Sequence, residues 1–106
     1  MKVYIACPYT IGDVAMNVRS SILAQDYLES HGFMVYNPLL SHFQNLVLPH
    51  RDVNHWYEKD LKWLLECDCV LRLEGESVGA DREVKIAKER GMPIFYSVFD
   101  IPEESG

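Results

Sequence analysis

Residues 76–96 read ESVGADREVKIAKERGMPIFY: a polar turn, an amphipathic stretch, a glycine, and an apolar run behind a proline. Ala80, Val84 and Ala87 recur at helical spacing on one face, and Gly91 is placed to stop a helix. The spacing predicts a helix over 78–90 and a strand over 93–98. Just upstream, residues 67–73 (CDCVLRL) form another β-rich run, which ends at Glu74-Gly75. Strand, helix and strand joined by such short connections are the unit of a parallel sheet covered by helices.

Working outward, the rest of the chain repeats the unit. Residues 2–7 (KVYIAC) read as a strand stopped by Pro8. From Asp13 a helix follows, with Val14, Val18, Ile22, Ala24 and Leu28 on one broad apolar face and Gly32 at its end. Residues 33–38 (FMVYNP) supply a second strand. Residues 39–54 read as a long loop rich in His, Asn and Pro, with Asn54 as the N-cap of a helix reaching residue 66. One domain is expected over residues 1–100, with a frayed polar tail over 101–106. The chain has no internal repeat and no low-complexity segment.

Composition narrows the function classes. The net charge of −6 and the lack of any Lys/Arg cluster exclude a protein that wraps a nucleic acid polymer. No apolar run reaches the roughly 20 residues of a membrane span, and the N-terminus has no signal-peptide pattern, so a cytoplasmic protein without a membrane partner is expected. Cys7, Cys67 and Cys69 show no C-x-x-C spacing, and His42, His50 and His55 match no metal motif. Buried reduced thiols, loop or capping histidines, and no metal or cofactor are the expectation.

Parallel sheets bind ligands beyond the carboxyl ends of their strands, where strand order switches. That points to the segments after the first and third strands, CPYTIGD and EGESVGADRE. A helix opening on Ser77-Val78-Gly79 offers free N–H groups to an anion or a polar sugar. Glu83, four residues after Gly79, shares its flank and faces the crevice unless it is simply a solvated first-turn glutamate. On the helix before it, Tyr57, Leu61, Leu64 and Leu65 form the expected core stripe. Trp56, Asp60 and Trp63 fall on the adjoining flank, with the acid between two large rings; alternatively the rings pack on another element or subunit and Asp60 is exposed. Tyr4 and Tyr9 flank the end of the first strand. For Tyr4, core packing is the simpler account; Tyr9 follows a proline at the loop mouth.

Three segments, VYIACPYT, WYEKDLKWLLECDCVL and ESVGADREVKIAKERGMPIFY, carry D-L-x-W-L-x-x-x-D followed by S-x-G-x-x-x-E. In combination they resemble the nucleoside 2-deoxyribosyltransferase superfamily, including the 2′-deoxynucleoside 5′-monophosphate N-glycosidases and small phage and bacterial members. The resemblance implies an α/β, flavodoxin-like (Rossmann-like) three-layer sandwich with four to five parallel strands, a homodimer or higher oligomer, and cleavage of the N-glycosidic bond of a small nucleoside or nucleotide. It matches Glu83 to the nucleophile at C1′, Asp60 to the carboxylate that holds the ribose and assists, and Tyr4 to the tyrosine beside the nucleophile. Ser77 and Gly79 match the loop holding the phosphate or the sugar's 5′ end; Tyr9, Thr10 and Trp56 complete the substrate pocket.

The implied chemistry is physically consistent, because a carboxylate below C1′ stabilises or traps an oxocarbenium-like state. Asp60 or Tyr4 is positioned to assist the leaving base. Cys7 stands where a glycine is usual, Thr10 where an arginine meets phosphate, and Asp81 where a small residue is usual, with Arg82 or Arg51 available to offset its charge. The need for a 5′-phosphate is therefore open. Hydrolysis is expected over base exchange, since a short chain offers little to exclude water. The alternative is a catalytically silent nucleotide-binding or sensing module using the same cleft.

Overall fold

The computed structural model describes residues 1–40, 44, 46–48 and 53–103. Along them alternate four strands, β1 (Lys2–Ala6), β2 (Met34–Tyr36), β3 (Cys69–Arg72) and β4 (Ile94–Phe95), and three long helices, α1 (Val14–Ser30), α2 (Val53–Glu66) and α3 (Val78–Glu89). All strand pairs are parallel, in the order β2-β1-β3-β4. This is the flavodoxin-like order, and it reverses between β1 and β3.

Strand alternation assigns the layers. Val3 and Ile5 of β1, with Cys69 and Leu71 of β3, pack against Val18, Ala24 and Leu28 of α1. Tyr4, Ala6 and Val70 point the opposite way, onto Leu64 of α2 and Ala80 and Ala87 of α3. The result is the expected three-layer sandwich. Asp13 and Ser77 cap α1 and α3 by accepting from the Met16 and Ala80 backbone N–H groups. Both helices close at their anticipated glycines, with the Phe33 N–H donating to the Leu28 carbonyl and that of Met92 to Ala87.

The structure departs from the sequence reading in five places. On α1 the inward residue is Ser21, not Ile22: Ser21 is buried and accepts from the Asn37 amide at 2.9 Å, which also reaches Gln25 at 3.2 Å. Asn37, buried at the end of β2, thereby fastens that strand's exit to α1. On α2 the expected core stripe is turned outward, with Tyr57, Leu61 and Leu65 39–45% exposed and Leu64 alone buried. The inward line is Trp56, Asp60 and Leu64, so a carboxylate occupies a position that an apolar pattern assigns to solvent. α2 begins at Val53, which puts Asn54 inside its first turn rather than at its cap.

The remaining departures lie in the connections. A 3-10 turn covers Pro38–Leu40, and the Leu48 N–H donates to the Gln44 carbonyl at 2.9 Å, so part of the supposed loop is helical. His42, His50 and Arg51 lie outside the described residues. β4 has two residues, after which Ser97 caps a second 3-10 turn, Val98–Asp100. That turn carries Ile101, assigned by sequence to a frayed tail, into the α1-side core at 4% exposure. Among the described residues no helix is long and apolar enough to cross a membrane.

Candidate active site

At the carboxyl ends of β1 and β3, where strand order reverses, lies a cleft of about 560 Å³. The loop after β1, the exit of β2, α2 and the N-terminal turns of α3 form its walls. Tyr9, Thr10, Trp56, Asp60, Ser77, Gly79 and Glu83 all line it. The segments singled out by sequence thus converge, although Glu83 and Asp60 sit on different helices.

Beneath the cleft the two carboxylates are each held by a tyrosine. The Tyr4 hydroxyl donates to Glu83 Oε2, and the Tyr36 hydroxyl donates to Asp60 Oδ1 at 2.9 Å. Tyr4 and Tyr36 are register partners on β1 and β2, and their rings lie 5.6 Å apart. Sheet register therefore sets the separation of the two tyrosine–carboxylate pairs. The second oxygen of each carboxylate has no hydrogen-bond partner among the described residues. Tyr36 was missed by the sequence reading because a tyrosine in a strand reads as β-propensity. Trp63, expected beside Asp60, instead stacks on Tyr36 with ring centroids 5.0 Å apart.

Two loops hold these residues in place. Asn17 donates to the carbonyls of Tyr9 and Ile11 at 3.1 and 3.0 Å, shaping the loop after β1. The loop after β3 wraps Arg72, whose guanidinium donates to the Leu73 and Gly75 carbonyls and to Asp81 Oδ1. Arg72, rather than Arg82, offsets the Asp81 charge. Arg82 lies over the Tyr57 ring, 4.9 Å from its centroid, so the cleft's rim is bridged from α3 to α2. The indole N–H of Trp56 is buried with no hydrogen-bond partner among the described residues. His55 meets the Trp56 ring edge-on, and among the described residues no group of three or more His, Cys, Asp or Glu could hold a metal.

Burial dominates the electrostatics. It pushes the Glu83 carboxyl up to about 7, with the Asp60 charge adding to the effect and the Tyr4 hydrogen bond, Arg72 and Arg82 opposing it. Asp60 is raised to about 6, again by burial, against the Tyr36 hydrogen bond and Lys59. The Tyr4 and Tyr36 hydroxyls are driven well above the phenol range, first by burial and then by the carboxylates they serve, so both are permanent donors. Burial also raises the Cys7 thiol to about 11 and leaves it a packing residue. A buried carboxylate that titrates near neutrality at a cleft floor can act as a nucleophile or base.

A family model described as Domain of unknown function (DUF4406) matches residues 1–96. A solved structure of a 2-deoxyribosyltransferase from the psychrotolerant bacterium Bacillus psychrosaccharolyticus matches 89% of this chain and 69% of its own, with a TM-score of 0.67 and 18% identity. No curated protein matches the chain. The structural likeness bears out the fold that the sequence resemblance implied.

Proposed function

The chain belongs to the family described as Domain of unknown function (DUF4406), and from its fold and its paired carboxylates we propose that it cleaves the N-glycosidic bond of a small nucleoside or nucleotide. One observation carries the reading: Glu83, expected from sequence to be the nucleophile, is part-buried in the cleft wall with one oxygen held by Tyr4 and the other without a partner among the described residues.

The free Glu83 oxygen attacks C1′ as the C1′–N bond breaks, and the bonding electrons leave with the base, which takes a proton from water. A second water then attacks C1′, releases Glu83 and leaves a free sugar. Asp60 lines the same cleft as Glu83 and is held there by the Tyr36 hydroxyl, with no partner for its second oxygen among the described residues. Its part is to hold a sugar hydroxyl and balance the positive charge developing on the ring. Tyr4 is likewise committed, since its hydrogen already serves Glu83. Ser77 and Gly79 receive the 5′ end, while Tyr9, Thr10 and Trp56 surround the rest of the substrate. Hydrolysis is favoured over base exchange because the small cleft has little with which to shield the intermediate from water.

The reading includes a homodimer formed through the apolar face of α2 and a cytoplasmic setting that keeps the three free thiols reduced. The test is chromatographic detection of free base from a panel of ribo- and deoxynucleosides and their 5′-monophosphates, with wild type beside Glu83→Ala. Base released by wild type and lost in the variant is expected. A folded Glu83→Ala protein with full activity would refute the mechanism. Ligand-induced thermal stabilisation with no base release would move the protein to a silent binding module.

A further inference from the structure

We propose that Tyr36 is a positioning residue for the second carboxylate: by holding Asp60 Oδ1 it turns Oδ2 toward the cleft, where the sugar is bound. The inference rests on the glycosidase reading for its substrate and on the geometry of β2 for everything else. Tyr36 is packed against two rings, stacked on Trp63 with an interplanar angle of 12° and tilted against Tyr4 at 5.6 Å. Its strand is pinned one residue later by the buried Asn37 amide. The hydroxyl therefore has little freedom, and a permanent donor at a fixed point forces the carboxylate into one orientation. Without it, Asp60 has no hydrogen-bond partner among the described residues and is free to rotate about its side-chain bonds.

Among the described residues, Lys59 on its own helix, Glu83 on α3 and the hydroxyls of Tyr4 and Tyr36 on β1 and β2 interact with Asp60, and Glu58 and Arg82 line the same cleft. Tyr36 and Lys59 are the two that favour its ionised form. Losing the Tyr36 hydroxyl thus both loosens Asp60 and lets it keep its proton to higher pH, and both changes weaken an anion that holds a sugar.

Tyr36→Phe separates this role from packing, because phenylalanine keeps both ring contacts and removes only the donor. Two measurements are needed: NMR titration of the Asp60 carboxyl carbon in wild type and variant, and base release by wild type, Tyr36→Phe, Asp60→Asn and the double variant. The Asp60 titration is expected to move upward from about 6, and kcat/KM at pH 7 to fall at least about tenfold. The double variant is expected to match Asp60→Asn within about twofold, since Tyr36 acts through Asp60. An Asp60 titration unchanged in Tyr36→Phe overturns the proposal, whether or not base is released. So does unchanged turnover in Tyr36→Phe when Asp60→Asn is impaired. A shifted titration in a protein whose wild type releases no base upholds the Tyr36–Asp60 coupling and sinks the glycosidase reading instead.

Discussion

Glu83 is where stability and activity meet at the level of one residue. Its carboxyl titrates at about 7 in the fold against an ordinary 4.5. Below the lower value folded and unfolded chains both hold the proton; between the two the unfolded chain ionises first, so stability falls as pH rises through that window. Above about 7 both forms are ionised and the full cost remains, on the order of 3 kcal/mol. Glu83→Gln cannot ionise and escapes it, so its Tm advantage over wild type should be larger at pH 8 than at pH 5 by thermal melting. An advantage that does not grow with pH would mean that the carboxyl is not held protonated. The same ionisation governs turnover: kcat/KM should rise with pH and level off above about 7, with no falling limb near 6 from Asp60. A bell-shaped profile descending between those values would make Asp60 a proton donor after all.

Among the elements, the connections decide more than the helices do. Gly75 sits at φ +123° where the loop after β3 meets the loop after β1, and a Cβ there would lie 2.8 Å from Pro8 Cγ. Gly75→Ala should therefore lower Tm by roughly 5–15 °C and reduce base release, since it separates the two loops that frame the cleft. Retention of wild-type stability would show that the loops are not locked together. The second 3-10 turn has a comparable part on the opposite face. Ile101→Ala removes a side chain buried with Phe33 and Leu28 and should cost ~3 kcal/mol by denaturant unfolding. A cost below ~1 kcal/mol would restore the frayed-tail reading.

At the scale of the whole molecule, α2 presents Tyr57, Leu61, Trp63 and Leu65 outward, and Tyr57 and Leu61 also line the cleft. Light scattering should give twice the chain mass for wild type and the single mass for Leu65→Glu, whose charge would be buried in a two-fold contact. A monomeric wild type would refute the dimer and leave that face as the outer rim of the cleft.

Short β-rich runs at residues 2–7 and 67–73, with short connections and glycine stops, were enough to determine a parallel sheet under helices and to direct attention to the loops after β1 and β3. Local rules suffice there because propensity and patterning agree with the fold. The sequence resemblance likewise singled out Glu83 and Asp60, which line the cleft, and Tyr4, which is buried and donates to Glu83. The facing of α2 was not fully legible: pattern reading turned Tyr57, Leu61 and Leu65 inward and left Asp60 either between two rings or exposed, because it weighs apolarity and cannot know that a tyrosine awaits the acid inside. Tyr36 itself was invisible for the complementary reason. Its partner lies 24 residues away, and only the register that sets Tyr4 beside Tyr36 makes the two pairs one site. Sequence fixes which groups are available, but the distance between two carboxylates on different helices exists only once strands have paired.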